Sequence, residues 1–361
     1  MRILIDALSF ETRDGGFATA LIGLVKTACK ISDFEFVVAC HRSNRDFFRA
    51  LGAETYCVAF PSRLKWYLAP LIVEKIARRV GADAIHHEIS GPGVTGRVPF
   101  SVTVHDLHFL EKDHVRRSGL GGLAMERYWR NYFVGSLRSA RRIKTVSRTT
   151  LNDVALHCQN VPASMVECIY PCIDPLYEAG KRREYQAQGS LNILFLGSIV
   201  PRKNLGFLLR ALSRVQRSWH LDIVGNVWWG AQELATWQDD SRISVHGYLE
   251  TSQLAEVADR AHLLISPARY EGFGLPCAEA MSAGLPVFAS DIPAHREFVP
   301  SDCLFGLDDP SHLARMIDHL DGQTYERLLA GASSVAEQFT EEKHILNHTK
   351  FFQRAFAPGV R

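Results

Sequence analysis

The chain has 361 residues, 47% of them hydrophobic and 22% charged, with 41 Lys and Arg against 39 Asp and Glu. That length suits about two domains of roughly 100–200 residues each, the composition is ordinary for a globular protein, and a formal charge of +2 leaves no electrostatic footprint for nucleic acid. The 8 cysteines are scattered and form no C-x-x-C pair, which argues against a zinc site and a disulfide framework and for reduced thiols in a cytoplasmic protein.

The opening MRILIDA carries one basic residue and a short apolar run, and reads as a first strand rather than a signal peptide. No uncharged apolar stretch approaches the ~18–20 residues that span a bilayer, so contact with a membrane is expected to be peripheral at most. Strands are expected at residues 2–5, 34–40, 84–86, 100–105, 142–146 and 166–169. A second series follows at 193–196, 221–224, 243–245, 262–266 and 286–289. Between them lie segments with apolar residues at three- and four-residue spacing, 205–212 and 254–261 among them. Apolar strands alternating with helices predict parallel sheets covered on both faces.

The pattern restarts once, after the polar, aperiodic stretch EAGKRREYQAQGS at residues 178–190, which reads as a linker. The expected organisation is therefore a Rossmann-like domain over 1–177, that linker, and a second such domain over 191–340. A helical segment at 341–361 closes the chain, and packing back onto the first domain is one option for it. Doubly wound domains bind ligands at the carboxyl ends of their strands.

In the first half, Asp14-Gly15-Gly16-Phe17 follows the first strand, and Thr103-Val104-His105-Asp106 sits at the end of another. The glycine pair lacks the G-x-G-x-x-G of dinucleotide folds, so a nicotinamide enzyme is not indicated. His86-His87-Glu88 is a poor metal triplet, because neighbours on a strand point to opposite faces; it reads as a loop or part of an acceptor pocket. Residues 112–144 and 64–80 interleave Arg and Lys with aromatics, a pattern that suits an anionic membrane surface as well as a solvated basic face.

In the second half, SPARYEGFGLPCAEAMSAGLPVFAS spans residues 266–290. A strand ends, a glycine loop follows, and a helix begins near Leu275-Pro276, where a proline suits the first turn. Unpaired N–H groups and the positive dipole end make that start a place for a diphosphate, with Glu271 and Glu279 able to reach two parts of one ligand. Upstream, Gly197-Ser-Ile-Val-Pro-Arg202-Lys203-Asn204 puts two cations at a strand-to-helix loop. LDIVG at 221–225 leads to Asn226, Trp228 and Trp229, and His246-Gly247-Tyr248-Leu249 follows the next strand.

These motifs, in this order, resemble the retaining glycosyltransferase family 4 with its GT-B fold, and the two glutamates stand as in that family's E-x7-E motif. Ser198 departs from the pattern, since many members carry an arginine directly after the glycine; Lys203 carries over cleanly and Arg202 less directly. The resemblance implies that the backbones of Gly15 and Gly16 face a donor diphosphate, that His105 meets the donor sugar, and that Arg202 and Lys203 neutralise the leaving diphosphate. It implies loops at Asn226, Tyr248 and Leu249 lining the base and ribose pocket, and the Phe273-Gly274-Leu275-Pro276 backbone on the diphosphate. Glu279 would take ribose hydroxyls and Glu271 sugar hydroxyls. The implied reaction is retaining hexosyl transfer from a nucleotide-sugar, GDP-mannose first and a UDP-sugar second. The acceptor would be a glycan or lipid-linked glycan of surface polysaccharide or lipopolysaccharide assembly. No D-x-D occurs, so no metal and no cofactor are expected. A sugar-nucleotide epimerase on the same fold and a non-catalytic nucleotide-sugar-binding subunit are the alternatives.

Overall fold

A computed structural model describes residues 1–10, 15–59, 65–88, 97–110, 133–173, 185–186, 189–227, 234, 236–237 and 239–356. The chain divides into two units: Met1–Cys172 with the segment from Glu341 onward, and Ile173–Thr340. Most of the expected linker and of the basic-aromatic stretch at 112–144, and both Trp228 and Trp229, lie outside the described residues.

Among the described residues the first unit has a seven-stranded sheet. Its strands are β1 (Arg2–Ala7), β2 (Glu35–His41), β3 (Glu54–Val58), β4 (Ala84–His87), β5 (Phe100–Val104), β6 (Arg142–Thr145) and β7 (Val166–Cys168). Their order is β3-β2-β1-β4-β5-β6-β7, with every pairing parallel. The alternation of side chains along β1 explains why both faces need cover. Leu4 joins Val73, Ile76 and Ala77 of the helix Lys65–Arg79 on one face. Ile3 and Ile5 join Leu21, Leu24 and Val25 of α1 (Gly16–Ala28) on the other, together with Phe351, Phe352 and Ala355 of the C-terminal helix Glu341–Phe356.

The second unit repeats the plan. Strands β8 (Leu191–Leu196), β9 (Trp219–Val224), β10 (Ile243–Gly247), β11 (Leu263–Ser266), β12 (Val287–Ser290) and β13 (Leu304–Phe305) run parallel in the order β10-β9-β8-β11-β12-β13. Both sheets therefore reverse direction of build once, between β1 and β4 and between β8 and β11, the places where doubly wound sheets open a crevice at strand ends.

Three local expectations change. β3 and β13 are strands that the apolar-run criterion passes over: β3 is a half-exposed edge strand opening on Glu54 and Thr55, and β13 has only two residues. β10 extends to Gly247, so His246 and Gly247 end the strand rather than follow it. His86, His87 and Glu88 are not a loop; both histidines are in β4, and all three side chains are buried.

Candidate functional site

In the second unit, four loops at the carboxyl ends of β8, β9, β10 and β11 carry the expected residues. β8 runs into Gly197 and a short turn, Pro201–Lys203, before the helix Leu205–Leu212. Asn204 caps that helix with φ 54°, a left-handed conformation that asparagine tolerates better than most residues. The turn aims both cations at the loop after β11. Lys203 Nζ lies 2.5 Å from Glu271 Oε1, and an Arg202 guanidinium nitrogen lies 3.1 Å from Glu271 Oε2. Arg202 also reaches the Tyr270 carbonyl at 3.4 Å, and the Arg269 N–H donates back to the Arg202 carbonyl at 2.8 Å, which ties the two loops together.

Glu271 is only 7% exposed. Burial pushes its carboxyl up, but Lys203 and then Arg202 outweigh that and hold it down to about 2. It is ionised at neutral pH, with two cations against one carboxylate. Just beyond it, Gly274 has φ 100° and opens the helix Leu275–Ser282, with Pro276 in the first turn. The backbone angle favours glycine, and a Cβ on Gly274 would press on the buried His295 ring at 3.0 Å. Cys277, Ala278, Ala280 and Met281 bury one side of this helix, and Glu279 on the same helix is half-buried.

The loops after β8 and β9 touch backbone to backbone. A Cβ on Gly225, whose φ is 145°, would sit 2.1 Å from the Gly197 carbonyl oxygen. The Ile199 N–H donates to the Asn226 carbonyl at 2.8 Å, and the Gly225 N–H to the Gly247 carbonyl at 2.8 Å. Asn226 is thereby tied to the loop after β8, and Tyr248 and Leu249 follow the Gly247 that meets the loop after β9; all three are half-buried.

In the first unit, Gly15 caps α1 with φ 62°, and Gly16 is that helix's first residue. Phe17, 38% exposed, meets the His105 ring edge-on with centroids 4.9 Å apart. His105 follows β5, and its Nε2 lies 2.7 Å from the Glu88 carbonyl oxygen. Burial is the main reason its imidazole is held below the usual histidine range. Gly15, Gly16 and His105 thus come together at the ends of β1 and β5.

Two groups hold residues that the sequence reading passed over, His295 in one and Lys144 and His348 in the other. His295 braces the Gly274 turn; its Nδ1 lies 2.9 Å from the Ser290 carbonyl, so that nitrogen carries a proton. No spacing in IPAHRE marks it. The other is a buried network of His86, Glu88, Thr103, Lys144 and His348. The legible signals were the period of two, which puts His86 and Glu88 on one side of β4 while His87 turns to Asp6 at 2.9 Å, and a lysine inside the otherwise buried β6.

Residues 15–176 match the model described as Glycosyltransferase Family 4, and residues 190–321 match the model described as Glycosyl transferases group 1. The chain is 27% identical over 327 residues to the O-antigen chain mannosyltransferase B of Escherichia coli, covering 80% of this chain and 76% of the relative. It is 24% identical over 296 residues to the O-antigen chain mannosyltransferase RfbU of Salmonella typhimurium, covering 76% and 78%. The crystal structure of Anabaena Alr3699/HepE in complex with UDP and glucose has the same fold, with a TM-score of 0.73 at 18% identity over 98% of this chain and 99% of that one. The paired sheets are the GT-B architecture, and the two model matches together span both of them. The chain belongs to the group 1, family 4 glycosyltransferases.

Proposed function

We propose that the protein transfers a hexosyl residue from a nucleotide-sugar, mannosyl from GDP-mannose first and a hexosyl from a UDP-sugar second, to a glycan or lipid-linked glycan, with retention at the anomeric carbon. The single observation carrying the proposal is the Lys203–Glu271–Arg202 cluster, one loop before the Gly274 helix start. Departure of a nucleoside diphosphate builds negative charge on its oxygens. Fixed cations and a helix N-terminus stabilise that charge without reorganising as it forms. The Lys203 and Arg202 cations and the N–H groups of the Gly274 turn suit a diphosphate. Glu271, ionised and limited to accepting, then takes hydroxyl donors from the sugar. Glu279 takes the ribose hydroxyls, and Asn226, Tyr248 and Leu249 border the base.

The mannosyl reading is supported by the relatives' names, and the nucleotide-sugar reading by the UDP and glucose in the Anabaena structure. Surface polysaccharide or lipopolysaccharide assembly is the setting those relatives favour, with peripheral contact at the cytoplasmic membrane face. Equal binding to neutral and anionic vesicles would remove the membrane contact. For the chemistry we favour same-face attack, in which the departing phosphate takes the acceptor's proton, because Glu271 is already engaged by two cations and is a poor nucleophile there. The diphosphate is neutralised by side chains and needs no metal in this reading.

The test is transfer from GDP-mannose and UDP-sugars to an O-antigen-type lipid-linked acceptor, with the product's anomeric configuration read by NMR and EDTA included in parallel. An α-linked product from an α-linked donor, formed equally with EDTA, supports the reading. An inverted product excludes retention, and activity abolished by EDTA excludes metal independence.

A further inference from the structure

Behind His105, the first unit buries a chain of charges that the reaction as proposed does not use. Glu88 is fully buried and Lys144 is 3% exposed. The Lys144 ammonium lies 3.1 and 3.0 Å from the two Glu88 oxygens. Glu88 Oε2 also takes the Thr103 hydroxyl at 2.5 Å and His86 Nε2 at 2.9 Å. The ammonium's further donor goes to His348 Nε2, 3.2 Å away on the C-terminal helix.

The partners fix where the protons sit. His348 Nδ1 lies 3.0 Å from the His344 carbonyl, which can only accept, so the proton is on Nδ1 and Nε2 accepts from Lys144. His105 Nε2 likewise faces the Glu88 carbonyl at 2.7 Å, so its proton is on Nε2. One residue, Glu88, therefore holds Lys144 with its side chain and His105 with its backbone, and its Oε1 lies 3.5 Å from the same His105 nitrogen.

Among the described residues, the charged and titratable groups bearing on His105 are Glu88 from the end of β4, Lys144 from β6, and its chain neighbour Asp106. His86 of β4 and His344 and His348 of the C-terminal helix lie behind them. Glu88 and Asp106 favour a charged imidazole, whereas burial and Lys144 oppose it.

We infer that Lys144, acting through Glu88, is a positioning residue for His105: by offsetting the Glu88 carboxylate it leaves the buried imidazole neutral, while the Glu88 carbonyl holds its proton on Nε2 and so presents Nδ1 as a hydrogen-bond acceptor. A neutral acceptor suits a sugar hydroxyl and spares the oxocarbenium-like transition state a nearby cation. This consequence for transfer rests on the proposed function and on the donor-sugar contact that the family resemblance implies for His105; the proton placement does not.

The experiment is long-range 1H–15N NMR on the full chain labelled with 15N-histidine, with His105→Gln used to assign the His105 signals. The expected wild-type spectrum shows His105 predominantly neutral and protonated on Nε2 at pH 6.5. In Lys144→Met its titration midpoint rises by about one pH unit or more. The acid limb of kcat/KM for sugar transfer should rise with it. Lys144→Met/Glu88→Gln removes both charges at similar volume, and serves if the single variant does not fold. There the hydrogen bond from Nε2 persists and the midpoint lies at or below that of the wild type; a midpoint above the wild type's overturns the inference. A wild-type His105 protonated on Nδ1, or a midpoint unmoved by Lys144→Met, overturns the inference, as does an acid limb that ignores a shifted midpoint. Failure of the donor reading looks different: no nucleotide stabilises the wild type, while the His105 tautomer stays as stated.

Discussion

Glu271 is surrounded by opposite charge at a depth where an unpaired ion is costly, so its partners cannot be removed without consequence. Deleting one member of a buried ion pair typically costs about 3–5 kcal/mol, because the other is left uncompensated. Lys203 is 9% exposed, and Arg202 remains to share the carboxylate, so Lys203→Met should fall at the low end of that range. The transfer rate should fall further than stability implies, by roughly 100-fold or more if the ammonium meets the leaving diphosphate. Thermal melts and kcat/KM measured on the same preparation separate the two effects; a variant that melts early but turns over normally would remove Lys203 from the chemistry. At this scale the sequence was informative wherever a motif had ordered neighbours. Arg202, Lys203 and Glu271 stand 69 and 68 residues apart in sequence and meet as one cluster. Where Ser198 departs from the family pattern, Arg202 reaches Glu271 from the turn at 3.1 Å. His295 and Lys144 had no motif to announce them, because their roles arise from what packs above them rather than from spacing.

Elements set the precision of this cluster. The β8 and β9 loops are pinned by contact at Gly225, where a side chain would overlap the Gly197 carbonyl and the backbone is already at φ 145°. Gly225→Ala is expected to cost more than about 3 kcal/mol, through steric overlap added to backbone strain. Urea denaturation checks this, and a loss below 1 kcal/mol would show that the loops are not locked. In the first unit, the C-terminal helix buries Phe351 and Phe352 against β1 and α1. Phe352→Ala should cost about 3–5 kcal/mol by the same denaturation measurement. Periodicity identified this segment as a helix, and the structure adds its place in the first unit, a long-range fact that local spacing does not encode. β3 illustrates the converse: an edge strand need not be apolar throughout, so a search for continuous apolar runs misses it.

For the whole molecule, the buried histidines dictate a pH response. Burial lowers His86 to about 4, and burial followed by Lys144 lowers His344 to about 3. Each stays neutral when folded but takes a proton when unfolded once pH drops below about 6.5. The unfolded state then binds more protons, so stability is complete above that pH and declines as pH falls toward the folded values. The loss should be on the order of 1–2 kcal/mol per histidine by pH 5. Glu271, held down at about 2, adds a loss of the same sign below about 4.5. Denaturation series from pH 8 to pH 4 should show a monotonic decline beginning near 6.5; stability flat to pH 5 would contradict neutral burial of these groups. The doubly wound plan of both units was legible in alternating apolar strands and helical spacing. The charge network within the first was not, since it depends on β4, β5, β6 and the C-terminal helix meeting.

The central claim is that the second unit binds a nucleoside diphosphate at the Lys203 turn and the Gly274 helix start. Thermal stabilisation by GDP, UDP, ADP and dTDP, with and without magnesium, in the wild type and in Glu279→Ala, tests it most directly. The prediction is stabilisation by one nucleotide, about 2.7 kcal/mol at ~100 times its dissociation constant, independent of magnesium and lost in the variant. Stabilisation by none of them at millimolar concentration, or an equal shift in Glu279→Ala, would contradict the assignment.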